Sequence, residues 1–125
     1  MAIIINHMSI TLRNGARTFG PALIPDGLSS ITLRLARSTT LTPLFWPLAA
    51  TRIIVDMEIS TDGGTTFRDA CGMSAVGGIA FHREGEATES VVMCQPLPAG
   101  VARQVRVLTT VTDGPLVSEL TVEVT

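Results

Sequence analysis

The side chains that could do chemistry in this chain are few and scattered. Asp56 and Glu58 stand two residues apart, so a strand would present both carboxylates on one face, where they could act in acid–base catalysis or bind a cation. His7 and His82 are far apart and have no serine or aspartate motif beside them. Nucleophile-elbow, zinc-protease and phosphate-loop motifs are missing. We therefore predict a protein that is not an enzyme and has no catalytic residues, with Asp56 and Glu58 on a solvated strand face.

The two cysteines lie in separate apolar segments that read as strands. Cys71 and Cys94 are not part of a Cys-x-x-Cys pair, which argues against a zinc site or a thioredoxin-type site. We predict two reduced, buried thiols, with a disulfide as the alternative if their strands are neighbours. No metal and no cofactor are predicted.

Residues 52–67 contain the best-specified local structure in the sequence. Val55, Met57 and Ile59 alternate with polar residues, as in a strand with one apolar face and one wet face. An Asp-Gly-Gly sequence at residues 62–64 then favours a tight reversal, because glycine accepts the positive φ of hairpin turns. These features predict a hairpin.

The turn of this hairpin resembles the Asp-box of sialidases, Ser-x-Asp-x-Gly-x-Thr-Trp. The residues that carry the resemblance are Ser60, Asp62, Gly64, Thr66 and Phe67, the last in the place of tryptophan. In sialidases the motif recurs once per propeller blade, remote from catalysis, and one copy in 125 residues cannot make a propeller. We predict a structural turn in which the Asp62 carboxylate accepts backbone N–H bonds and Phe67 anchors the hairpin on the core.

Composition excludes several classes of partner. Charged residues make up 16% of the chain, against roughly 25% in typical domains, and the net charge is −2. The nine arginines are scattered and there is no lysine, so no basic cluster indicates a nucleic-acid partner. The apolar run at the N-terminus is too short for a signal peptide, and no stretch has the length of a membrane helix. We predict synthesis in the cytoplasm and no membrane contact.

Turn signals at short intervals divide the rest of the chain into strands. We predict hairpins around Asn14-Gly15 and around residues 113–115, the latter joining long strands at 101–111 and 116–124. In the strand at residues 30–36, alternate aliphatic side chains should face inward. Arg103 should lie at the end of its strand, because the other residues of its face are mostly valine.

This pattern predicts an all-β fold, an antiparallel β-sandwich of about seven to nine strands. The immunoglobulin-like topology is favoured over the jelly roll, because Trp46 could supply an inner-core aromatic side chain and the last two strands resemble a terminal pair. Residues 9–125 would form the single sandwich domain. Residues 1–8 would be an N-terminal arm or a short first strand.

Two apolar segments are the candidate interface. Residues 41–48 carry no charge and include two prolines, which argue against a central strand and for an apolar loop. If exposed, this loop would mark a protein interface or a sugar platform; the alternative is a loop that closes one end of the sandwich with Trp46 buried. The interface residues proposed from sequence are Ile3, Ile4, Ile5, Leu41, Leu44, Phe45, Trp46 and Leu48.

In its size, strand pattern and hairpin, the chain resembles the small β-sandwich virion proteins of tailed bacteriophages, such as capsid decoration (cement) proteins. That resemblance implies a structural virion protein, made in the host cytoplasm, that forms a homo-oligomer such as a trimer. Its partners would be the major capsid protein or other virion subunits. The alternatives are a carbohydrate-binding or adhesion module and a phage tail accessory domain. The scarcity of aromatic residues counts against a sugar platform.

Overall fold

The computed structural model describes residues 2–37, 52–76, 90–112 and 116–125. These residues form strands and loops and contain no helix. The strands are β1 (Ala2–Leu12), β2 (Gly15–Leu23), β3 (Ser30–Arg37), β4 (Arg52–Ser60), β5 (Arg68–Val76), β6 (Ser90–Pro96), β7 (Gln104–Thr112) and β8 (Leu116–Val124). Residues 2–8, predicted as an arm or a short first strand, belong to β1.

The described strands form two four-stranded antiparallel sheets that share one hydrophobic core, as in a β-sandwich. One sheet has the order β1-β8-β3-β6 and the other the order β2-β7-β4-β5. Among the described strands, β4 and β5 are the only two that follow each other along the chain and also pair with each other in a sheet. The hairpin predicted around residues 62–64 is therefore confirmed, although its return strand begins at Arg68.

The other two predicted hairpins are wrong. Asn14 and Gly15 lie between β1 and β2, and residues 113–115 lie between β7 and β8, but each of these strand pairs is divided between the two sheets. A turn signal specifies where the chain reverses and does not specify the partner of the next strand. In each of these two pairs, the strands lie in opposite sheets, and both strands turn their apolar faces toward the shared core.

The side-chain alternation predicted from sequence is confirmed. In β4 the odd-numbered residues Val55, Met57 and Ile59 are buried, whereas the even-numbered residue Ile54 is exposed. The buried hydrophobic residues are Ile5, Leu12, Phe19, Ile24, Ile31, Leu33, Leu35, Val55, Met57, Ile59, Val105, Val107, Val111, Leu120, Val122 and Val124. Each of these buried side chains stabilises the fold by about 1.5–3 kcal/mol relative to an exposed position. The spacing of apolar residues therefore determines which face of each strand turns toward the core.

One end of the sandwich is held together by a buried arginine. Arg103 lies directly before β7, as predicted, and its exposed fraction is 7%. Its guanidinium donates to the carbonyl oxygens of Pro98 (3.1 Å), Leu28 (3.1 Å) and Pro25 (3.4 Å). Its own carbonyl accepts from the N–H of Ile24 at 2.8 Å. The β2–β3 loop and the β6–β7 loop are thus joined through one side chain.

Candidate functional site

The Asp-box-like turn between β4 and β5 is closed by its own side chains. Ser60 Oγ donates to Asp62 Oδ1 at 2.7 Å and accepts from the N–H of Gly64 at 2.8 Å. Asp62 accepts from both the N–H and the hydroxyl of Thr66, the former at 2.9 Å. Gly63 and Gly64 have φ of 77° and 93°, which glycine adopts without strain. The predicted bond from a backbone N–H to the Asp62 carboxylate is confirmed.

These bonds determine the protonation of Asp62. The Thr66 hydroxyl, the Thr66 N–H and the Ser60 hydroxyl, in that order, lower the pKa of the Asp62 carboxyl from 3.8 to about 2. A carboxylate that accepts several hydrogen bonds is stabilised in its charged form. Asp62 is therefore a poor proton donor, and its oxygens are already engaged within the turn.

Phe67, the last residue of the motif, lies on the outer face of its sheet. Its ring is covered by Arg106, whose Cζ is 4.1 Å from the ring centroid. Arg106 Nε in turn donates to Glu58 Oε1 at 2.6 Å. Phe67 is not part of the hydrophobic core among the described residues, so the predicted anchoring on the core is wrong. Glu58 is held in an ion pair with Arg106 of the neighbouring strand β7.

The β6–β7 loop is fastened to this turn by backbone contacts. The N–H of Val101 donates to the carbonyl of Thr61, and the N–H of Gly63 donates to the carbonyl of Val101, both at 3.0 Å. Gln104 Nε2 adds a bond to the carbonyl of Gly63 at 3.2 Å. At Gly100 an added Cβ would lie 2.5 Å from Thr61 Cβ, so only glycine allows this approach. The turn and the loop therefore form one unit.

Between the turn and the loop lies a cleft of about 400 Å³. It is open to solvent at the surface and has the side chain of Ile59 in its wall. Its lining combines short apolar side chains with charged and neutral polar ones. The lining residues are Ile59, Thr61, Asp62, Thr66, Arg68, Asp69, Ala70, Gln95, Pro98 and Ala99.

A β-bulge interrupts the ladder near the start of β5, beside this cleft. Met57 pairs with Cys71 and Glu58 pairs with Asp69, so Ala70 is an extra residue without a partner across the ladder. Arg68 and Asp69, which precede the bulge, and Ala70 all belong to the lining of the cleft.

Three polar side chains of the cleft make no hydrogen bond or ion pair within the described ranges, namely Arg68, Asp69 and Gln95. These residues were not among those predicted from the sequence. Arg-Asp directly after a turn is a common surface pattern, and no signal in the sequence places Gln95 of β6 next to β5, which belongs to the other sheet. Their convergence is a tertiary feature.

Strand β1 contains the first group of predicted interface residues. Ile5 is buried in the core of its own chain, and Ile4 is partly buried against that core. Ile3 is 56% exposed, and Met8 on the same strand is 63% exposed. Among the described strands, β1 stands at the edge of its sheet and pairs with β8 alone. The exposed apolar side chains of this strand are therefore Ile3 and Met8 rather than all three isoleucines.

The second group of predicted interface residues, Leu41, Leu44, Phe45, Trp46 and Leu48, lies outside the described residues. The placement of Trp46 in the core or at the surface therefore stays a prediction. The side chain of Cys71 also falls outside the described atoms.

Cys94 is a free thiol on the outer face of its sheet, and the prediction that it is buried is wrong. It pairs in register with Thr32, whose hydroxyl donates to the Cys94 Sγ at 3.3 Å. The Thr32 hydroxyl, and then the Ser30 hydroxyl, lower the pKa of the Cys94 thiol. The misassignment arose because residues 91–93 are consecutive apolar residues, which conceal the strand's alternation.

Neither a metal-binding cluster nor a membrane-spanning helix occurs among the described residues. Among residues 2–37, 52–76, 90–112 and 116–125, no group of three or more His, Cys, Asp or Glu side chains is arranged to hold a metal ion. In the same ranges there is no helical segment with the length and hydropathy that crossing a membrane requires.

No protein-family model matches this chain, and no match was found among curated proteins or solved structures. The function therefore has to be argued from the chain's own residues and geometry.

Proposed function

We propose that this chain is a non-enzymatic structural protein of a virion, a capsid decoration protein that oligomerises and packs on a capsid lattice. The observation that carries the proposal is the edge strand β1, which contains no charged residue and exposes Ile3 and Met8. The proposed partners are further copies of the chain and the major capsid protein or other virion subunits.

The strand order supports a jelly roll rather than the immunoglobulin-like topology that the sequence favoured. In immunoglobulin-like domains the first two strands are neighbours in one sheet, whereas β1 and β2 lie in different sheets here. Jelly rolls have eight strands in two sheets and two Greek keys, and they occur in viral capsid domains and in lectins. The pairing of β1 with β8 and of β2 with β7 agrees with that architecture.

The four edge strands differ in how they are protected. Native sheets block unwanted pairing at their edges with charged residues, prolines and bulges. β2 carries Arg17 and Pro21, β5 begins with Arg68 and Asp69, and β6 ends at Pro96. β1 contains neither a charged residue nor a proline in its 11 residues. Such an edge is suited to contact with another protein.

Three of the exposed side chains on β1 and β2 are apolar, although Asn6, His7 and Arg17 are exposed as well. Ile3 and Met8 of β1 and Leu23 of β2 are 56%, 63% and 64% exposed. β1 and β2 lie against each other across the two sheets, with ring centroids of His7 and Phe19 5.1 Å apart, so both strands belong to one side of the sandwich. Association there would remove these side chains from water.

Register shifts in β1 indicate how a partner would be held. The ladder with β8 is irregular between Ile3 and Ile5 and between His7 and Ile10. A bulged edge gives a poor template for a long continuous ladder with another strand. Burial of Ile3 and Met8 should therefore contribute more to assembly than backbone hydrogen bonds.

Analytical ultracentrifugation of the purified chain tests the assembly. We expect an oligomer for the wild type and a folded monomer for the double variant Ile3→Glu/Met8→Lys, because these side chains are exposed within one chain and contribute little to its own core. The matched control is Val101→Lys, at a loop position that is 76% exposed, which should stay oligomeric. A wild-type chain that is monomeric at all accessible concentrations would contradict the proposal.

Attachment to a capsid is tested by mass spectrometry of gradient-purified virions produced from the genome that encodes the chain. The expected result is a copy number comparable with that of the major capsid protein. Recovery of the chain only in fractions free of virions would exclude a decoration role.

A further inference from the structure

We infer that the cleft between the β4–β5 turn and the β6–β7 loop is a binding site for a neutral saccharide. This inference goes beyond the proposed assembly role and does not depend on it, because the cleft and β1 lie on different parts of the fold.

The cleft has the size and the rigidity of a ligand site. Its volume of about 400 Å³ falls within the roughly 300–1,000 Å³ of typical small-molecule sites. Its two walls are joined by the backbone bonds between Val101 and Thr61 and between Gly63 and Val101. The close approach at Gly100 keeps the loop against the turn. A ligand would therefore meet a largely preformed surface, which reduces the entropy lost on binding.

Hydrogen-bonding capacity converges on this space and is not used by the protein. Arg68 and Asp69 at the start of β5 and Gln95 of the facing sheet line the cleft. Among the described residues these three side chains make no hydrogen bond or ion pair.

The chemistry of these groups matches sugar hydroxyls. The Arg68 guanidinium only donates, the Asp69 carboxylate only accepts, and the Gln95 amide does both. A sugar hydroxyl donates and accepts, so neighbouring hydroxyls can satisfy this mixed set. Pro98 and Ala99, which are both exposed, supply apolar surface for the C–H groups of a sugar ring.

Charge and backbone geometry argue against other ligand classes. The charges of Arg68 and Asp69 cancel, and the Asp62 oxygens are already bonded, so the cleft has no excess of positive charge for an anion. A peptide strand would have to pair with the edge of β5, but the ladder is interrupted there by the bulge. No aromatic ring of the described residues lines the cleft, so we expect weak, millimolar affinity.

The test is a titration of the isotope-labelled chain, followed by amide NMR spectra, with the methyl glycosides of glucose, galactose, mannose and N-acetylglucosamine. We expect at least one glycoside to shift the amide signals of Asp69, Ala70 and Gln95 in a saturable manner. Asp69→Asn and Gln95→Ala should each weaken that binding about ten-fold or more, because the first replaces a charged acceptor oxygen with an N–H donor and the second removes the amide. Both variants should melt as the wild type does, since neither side chain has a partner within the described structure.

Asp26→Asn is the matched control. Asp26 is an exposed carboxylate in the β2–β3 loop at the same end of the sandwich, outside the cleft, and its replacement should leave binding unchanged. The inference is overturned if none of the glycosides binds, if Asp69→Asn binds as well as the wild type, or if the shifted amides lie elsewhere. A saccharide-binding monomer would contradict the assembly proposal alone, and an oligomer that binds no glycoside would contradict this inference alone.

Discussion

Arg106 covers the ring of Phe67, with its guanidinium carbon 4.1 Å from the ring centroid. The same guanidinium is held by Glu58, which pairs in register with Arg106 across β4 and β7. The final residue of the Asp-box-like turn is thus fastened to the outer face of the sheet by a cation–π contact. An aromatic residue at this position stabilises the hairpin from the solvent side.

The contact between Phe67 and Arg106 should be measurable as a coupling energy. A double-mutant cycle of Phe67→Leu and Arg106→Gln, followed by urea denaturation, should give a coupling of about 0.5–1 kcal/mol. The control cycle pairs Phe67→Leu with Arg34→Gln, an exposed arginine on the other sheet, and should give a coupling near zero. Equal couplings in both cycles would show that the cation–π contact adds nothing to stability.

Replacement of Arg103 should destabilise the fold strongly. Arg103→Met removes the donor that the part-buried carbonyls of Pro98, Leu28 and Pro25 share, and a hydrogen bond from a charged group contributes about 1.5–3 kcal/mol. We expect a total loss of at least about 2 kcal/mol in the free energy of unfolding by urea denaturation. Arg34→Met is the matched control at an exposed strand position and should change stability by no more than about 0.5 kcal/mol. Similar losses for both variants would contradict the role assigned to Arg103.

Asp62 should make the stability of the turn depend on pH in the acid range. Its pKa is lowered from 3.8 to about 2, so the folded state binds fewer protons than the unfolded state between these values. The stabilisation from Asp62 is therefore complete above pH 3.8 and is lost as the pH falls toward 2. An NMR titration of the Asp62 carboxyl carbon should report the low pKa directly.

Thr66→Val tests the cause of that shift. The variant removes the hydroxyl that donates to Asp62, the largest contribution, and should raise the pKa of Asp62 toward 3.8. Thr65→Val removes a hydroxyl that donates to the Asp62 backbone carbonyl rather than to the carboxylate, so it serves as the control and should leave the pKa nearly unchanged. A pKa that stays near 2 in Thr66→Val would refute the assigned cause.

Much of the fold follows from the residues alone, in particular which side chains face inward. Ile31, Leu33 and Leu35, like Val55 and Met57, are buried as their period of two predicts. The turn at residues 60–66 was also predictable, because its bonds join residues no more than four positions apart. Such local bonds need no partner from elsewhere in the chain.

Strand partners could not be read from the same pattern. Every amphipathic strand presents a similar apolar face, so alternation does not distinguish β2 from β8 as the neighbour of β1. The turn signal at Asn14-Gly15 favoured the local pairing, but Ala2 is paired with Val124 at the far end of the chain. Burying the apolar faces of both sheets against each other outweighs the preference of a turn signal for a local hairpin.

Three features follow from the sequence alone: the all-β class, the inward faces of the strands and the self-bonded Asp62 turn. Each of them depends on short-range periodicity or on short-range hydrogen bonds. Three others depend on the tertiary structure: the order of the strands, the exposure of Ile3 and Met8 on the edge strand β1, and the cleft. The cleft requires Asp69 and Gln95, which belong to different sheets and are brought together by burial of the common core. The burial of apolar surface is non-directional. It can therefore bring such residues together without any local sequence pattern that would predict their proximity.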